Sequence, residues 1–146
     1  MIVLFDTNIL IDNLQGIKAA EDEILNYDDA AISSITWMEV ACRMTDFEKI
    51  AFHSFLDAAA IRIIHPDDNI MRRAATIRGH SIFVGPRKVP LLDCIIRATA
   101  EAYGRLIITR NPRDFFGPGS NVHMPYELST DAAGNAIAVN ARPPPG

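Results

Sequence analysis

Four acidic side chains, Asp6, Glu39, Asp93 and Asp114, stand where an apolar run ends or a helix begins. Asp6 follows Ile2, Val3, Leu4 and Phe5 and is itself followed at once by Thr7 and Asn8. The pattern recurs after Leu106, Ile107 and Ile108, where Thr109, Arg110, Asn111, Pro112, Arg113 and Asp114 bring hydroxyl, amide and carboxylate groups to a strand end. Carboxylates gathered at one edge repel one another, and a hard divalent cation with oxygen ligands relieves that repulsion. Mg²⁺ or Mn²⁺ suits the set better than Zn²⁺, because no histidine or cysteine cluster accompanies the acids. A cation held this way turns a water into a nucleophile and steadies a phosphate in transit. Taken alone, Asp6 is better explained as a helix cap accepting from free N–H groups. Three later acids at equivalent positions reverse that ranking.

Strands and helices in alternation must position these groups. An uninterrupted apolar run of four reads as a strand buried on both faces, the kind found in parallel sheets, which bind ligands beyond their strands' carboxyl ends. Ala30 to Ser33, Ile61 to Ile64, Leu106 to Ile108 and Val122 to Met124 predict further strands. Helical patterns lie between them: a short turn over 8–14, then 17–26, then a helix in which Trp37, Val40, Ala41 and Met44 share a face and Glu39 sits in the first or second turn. Further helices are predicted over 47–60 and 70–77, and another runs from Pro90 to the helix stop Gly104. In that last helix Asp93 is spaced with Ile96, Ala100 and Tyr103, which puts it on the apolar face and away from Arg97 and Glu101. Residues 79–90 hold Gly79, Gly85, Pro86 and Pro90, so they predict a loop that carries Arg87 and Lys88 towards a substrate. From Gly117 the chain becomes rich in Gly, Pro, Asn and Ala. The sum is a three-layer α/β/α sandwich around a central parallel sheet, one domain over residues 1–128, with a flexible tail over 129–146 that ends in three prolines.

At 146 residues, 49% of them apolar, the chain can bury one real core. No apolar run approaches the roughly 20 residues of a membrane span, and no basic leader precedes a long apolar stretch, so a cytoplasmic location without membrane contact is expected. Two cysteines, Cys42 and Cys94, are too few for a disulfide scaffold and fit a reduced compartment. The net charge of -4 hides an uneven distribution: residues 1–69 carry 4 basic and 13 acidic side chains, residues 70–113 carry 9 basic and 2 acidic. All but one of those nine are arginines, which suit bidentate contact with a phosphate backbone; Arg87, Lys88, Arg97, Arg110 and Arg113 are the candidates.

The stretches FDTNILID at the start, SSITWMEV around Glu39, VPLLDCIIRATAEAYG around Asp93 and LIITRNPRDFFG around Asp114 together resemble a PIN-domain ribonuclease, specifically the VapC toxins of bacterial toxin–antitoxin pairs. The likeness runs from the start to about residue 125, in the family's order and approximate spacing. It implies a Mg²⁺-dependent endoribonuclease that hydrolyses RNA phosphodiesters, usual homodimerisation, and neutralisation by a cognate antitoxin that occupies the acidic groove. Carried over, Asp6, Glu39 and Asp93 match the family's three acids, with Asp6 and Asp93 as direct metal ligands. The family places its last acid where Asn111 or where Asp114 stands; Asn111 is an amide, so Asp114 takes that role, with Thr7, Asn8, Thr109 and Asn111 in support.

Two other classes compete. A phosphatase could use Asp6 as a covalent nucleophile, but such enzymes carry Asp-x-Asp at the first strand, where this chain has Asp6, Thr7, Asn8. A PIN-like module could instead bind RNA or a protein with little or no catalysis, and the amide at Asn111 is the feature that favours it.

Overall fold

The computed structural model describes residues 1–115 and 121–145. Its element order is β1 (Ile2–Phe5), α1 (Thr7–Leu14), α2 (Lys18–Leu25), β2 (Asp29–Ser33), α3 (Ser34–Ala41), α4 (Asp46–Ala58), β3 (Ile61–Ile64), α5 (Asp68–Phe83), α6 (Leu91–Tyr103) and β4 (Leu106–Ile108). A 3₁₀ turn (Pro112–Asp114), β5 (Val122–His123) and a hairpin of β6 (Glu127–Thr130) and β7 (Ala136–Val139) complete it.

Five strands form one parallel sheet in the order β3-β2-β1-β4-β5. Val3 and Phe5 are fully buried with Ile9, Leu10 and Ile32 in one cluster, joined by Ala20, Ile24, Phe52 and Leu56 from α2 and α4. Leu4, alternating to the other face, packs with Ile107, Ile96, Ala100 and Phe115, so α6 covers that side. α5 packs outside it through Ile70, Ala74 and Ile77 against Cys94 and Ala98. Helices on both faces of a parallel sheet make the expected α/β/α sandwich. The chain leaves β1 towards β2 on one side and reaches β4 on the other, so the connection reverses at the centre of the sheet, the position at which open parallel sheets bind ligands beyond their strand ends.

Two expectations need correction. Residues 79–90 are not a loop throughout: α5 continues through Gly79 to Phe83, leaving only about Val84 to Pro90 irregular. Ser81 is buried, with its hydroxyl donating to the Arg78 carbonyl (2.8 Å) and accepting from the Val89 N–H (3.2 Å), and this packing overrides the weak helix propensity of glycine. The C-terminal segment contains antiparallel β6 and β7, paired from Glu127↔Val139 to Thr130↔Ala136, where a flexible tail was expected. Its turn is closed by Asp131, whose Oδ1 accepts from the N–H groups of Ala133 (2.9 Å) and Asn135 (2.8 Å), and by Gly134 at φ +84°. Leu128 and Ala138 pack on the main core, and the Arg142 N–H returns to the Pro125 carbonyl at 2.6 Å. The Gly- and Pro-rich stretch expected from Gly117 has residues 117–120 outside the described residues. Among the described residues no helix is long and apolar enough to cross a membrane.

Candidate active site

Parallel pairing of Phe5 with Ile108 places Asp6 and Thr109 side by side at the carboxyl edge of the sheet. Asp6 is 6% exposed, and its oxygens are held from three directions. Oδ1 accepts from the Thr7 N–H at 2.8 Å, so Asp6 does cap α1. Oδ2 accepts from the Thr109 hydroxyl at 2.7 Å and from Asn8 Nδ2 at 3.1 Å. Asn8 Nδ2 also lies 3.1 Å from Thr109 Oγ1, while Asn8 Oδ1 accepts from the Arg110 N–H at 3.1 Å and Thr109 Oγ1 accepts from the Asn111 N–H at 3.0 Å. Capping and site-building are thus one role, because the capping geometry orients the carboxylate.

Glu39 reaches this edge from α3, which starts behind Ser33, whose hydroxyl accepts from the Ile35 N–H at 3.1 Å. The Thr7 hydroxyl donates to Glu39 Oε1 at 2.9 Å and lies 3.2 Å from the hydroxyl of buried Thr36. Asp93 sits in the first turn of α6, after Pro90, which has no side chain to satisfy the free N–H groups there. The three acids feel one another. Burial, then the charges of Asp6 and Glu39, push the Asp93 carboxyl up to about 6, with Arg87 pulling the other way. Burial is also the main cause of the rise at Asp6, opposed by the Thr109 and Thr7 hydrogen bonds and by Arg110, and reinforced by Glu39.

Asp114 is buried at 6% exposure, and its charge is already engaged. It pairs with Arg87 through Oδ1 and accepts from Asn111 Nδ2 through Oδ2. Of the other basic candidates, Arg110 grips Asp12 through Nε (2.6 Å) and Nη2 (3.0 Å). Arg97 is buried at 7% exposure and pairs with Glu101 at 2.8 Å. Lys88 and Arg113 are exposed.

The sequence reading missed Asp12, which is 1% exposed and also accepts from the Tyr126 hydroxyl at 2.8 Å. An acid inside the apolar stretch NILIDNL was the signal for it.

Oxygen donors carrying mutually unfavourable charge fit a hard divalent cation. Among the described residues no three His, Cys, Asp or Glu side chains are gathered closely enough to hold a metal ion by themselves. Mg²⁺ does not require that, since it keeps several waters and binds through one or two carboxylates.

A PIN domain family model matches residues 3–116. No curated protein matches the chain. Among solved structures, a toxin–antitoxin complex from Klebsiella pneumoniae is 34% identical at a TM-score of 0.70, covering 86% of this chain and 98% of that one. A VapBC-5 toxin–antitoxin structure from Mycobacterium tuberculosis is 25% identical at a TM-score of 0.56, covering 83% and 94%. DNA-bound VapBC from Salmonella typhimurium, at 23% identity, shares the fold at a TM-score of 0.67, covering 84% and 98%. The family match over residues 3–116 and the shared fold make this protein a member of the PIN domain family with a VapC-like architecture.

Proposed function

We propose that the protein is a Mg²⁺-dependent endoribonuclease acting as the toxin of a toxin–antitoxin pair. The observation that carries this reading is the gathering of Asp6, Glu39 and Asp93 at one edge of the sheet, where the Thr7 hydroxyl beside Asp6 donates to Glu39 and where burial, then the charges of Asp6 and Glu39, push the Asp93 carboxyl up to about 6. Bound Mg²⁺ would activate a water and offset charge on the phosphate under attack. Asp6 and Asp93 would hold it through one or two carboxylates and retained waters, with Glu39 beside them to orient a water. Thr7, Asn8 and Thr109 fix the Asp6 oxygens in place, and the Thr7 hydroxyl ties Glu39 to the same point. Asp114 spends its charge on Arg87 and Asn111, so in this reading it lies outside the metal shell and holds Arg87 beside Asp93.

The same reading includes an antitoxin partner, a cytoplasmic setting and a homodimer. Ile82 and Leu91 line an apolar groove between α5 and α6, and Phe83 and Val84 beside it are exposed, which suits the last of these. The saturation of Asp114 favours a second reading, a PIN fold that binds RNA or a partner with little catalysis. Calorimetry with Mg²⁺ or Mn²⁺ on the wild type and on Asp93→Asn separates the two. Metal-dependent heat lost in the variant supports the nuclease; no heat in either supports the binding module.

A further inference from the structure

A cavity of about 490 Å³ lies under the segment that joins α5 to α6. Its lining includes the apolar Ile77, Pro86 and Val89 together with Arg87 and Arg97, which pair with Asp114 and Glu101, and the exposed Arg113. Its size falls in the range of small-molecule sites. It also adjoins the acids: Arg87 lines the cavity, pairs with Asp114 and acts electrostatically on Asp93. A lining that combines apolar side chains with arginines suits a nucleobase beside a phosphate, because arginine both stacks on bases and grips phosphate oxygens.

We propose that this cavity is a subsite for one nucleotide of the substrate strand, next to the phosphate that is cut. The proposal rests on the ribonuclease reading and deepens it. In it Arg87 marks the boundary between the reaction centre and the subsite, and Arg113, exposed on the 3₁₀ turn, contacts the phosphate of the nucleotide in the cavity. His80, exposed near the end of α5, stands on the same lining.

The test is binding of a fluorescent single-stranded oligoribonucleotide in EDTA, with cleavage of the same strand followed in Mg²⁺. Arg113→Glu and, separately, His80→Glu are both surface changes that leave Asp6, Glu39, Asp93 and Arg87 untouched. Arg113→Glu is expected to weaken binding by about tenfold or more and to lower the salt slope by about one unit. It is also expected to raise KM with little change in kcat. A strand with one neutral methylphosphonate, placed in turn on each side of the cut, should lose the Arg113→Glu penalty at one position only. Wild-type cleavage with unchanged binding in both variants overturns the subsite and leaves the ribonuclease reading standing. A wild type that neither binds nor cuts RNA defeats the ribonuclease reading itself. Displacement by 5′-AMP with oligonucleotide binding unaltered in the variants would assign the cavity to a free mononucleotide and overturn the strand assignment.

Discussion

Asp6 shows how a single residue carries two jobs that sequence alone sets against each other. Its Oδ1 caps α1 while Oδ2 is pinned by Thr109 and Asn8, so the side chain has little freedom left. Thr109→Val leaves one Asp6 lone pair and the Asn111 N–H without a partner, and should cost about 1–3 kcal/mol in urea unfolding. An unchanged unfolding midpoint would show that the hydroxyl is dispensable. Burial of Asp93 beside like charges has its own signature in stability. A carboxyl raised above its unfolded value stabilises the fold below the ordinary carboxylate range, and that stability is lost as pH rises through about 6. In EDTA, Asp93→Asn should therefore gain in melting temperature over wild type as pH increases from about 5 to about 7.5. A gap that is flat or shrinks with pH would count against a raised Asp93 carboxyl. Residue types were legible here, but orientation was not. Arginine counts suggested a phosphate-binding block, yet Arg105 is 5% exposed and donates to the Val3 carbonyl at 3.1 Å and the Asp29 carbonyl at 3.2 Å, inside the protein.

Elements were readable wherever hydrophobic pattern decided them. β1, β2, β3 and β4 follow apolar runs, and α6 lies between Pro90 and Gly104, which takes the left-handed conformation at φ +61°. The misreadings fall where tertiary contacts override local signals, at Gly79 inside α5 and in the hairpin beyond Tyr126. Contacts between distant segments were equally invisible. Asp12 on α1 joins Arg110, just after β4, to Tyr126, just before β6, over sequence separations of 98 and 114 residues. Burial and the Asp12 carboxylate hold the Tyr126 hydroxyl well above the usual tyrosine range. The Asp12–Arg110 pair also fixes the turn whose backbone N–H orients Asn8. Asp12→Ala strands the Arg110 charge and should cost about 3 kcal/mol by chemical denaturation. A loss below about 1 kcal/mol would reduce this network to a surface pair.

At the scale of the molecule, strand order turned out to be the deciding feature. The four acids are far apart in sequence, and only a central β1 flanked by β2 and β4 brings Asp6 and Thr109 together within reach of Glu39 and Asp93. The hairpin extends the fold past residue 116, where the family match ends, and it packs Leu128 and Ala138 on the core. Truncation after Tyr126 should lower stability by about 2 kcal/mol or more, read from the urea midpoint. A truncated chain of wild-type stability would return the segment to the status of a tail. The exposed apolar groove between α5 and α6 predicts that Leu91→Glu shifts the protein from dimer to monomer in light scattering; an unaltered mass would remove that surface from the proposed homodimer.

In the proposed ribonuclease, Asp6 anchors metal-dependent RNA cleavage. Asp6→Asn keeps the shape and the capping acceptor but removes the charge that a cation needs. With Mg²⁺ present, the wild type should cut a single-stranded oligoribonucleotide, and the variant should lose at least about a hundredfold in rate while its circular dichroism spectrum stays unchanged. Full cleavage by the folded variant would contradict a metal-anchoring role for Asp6.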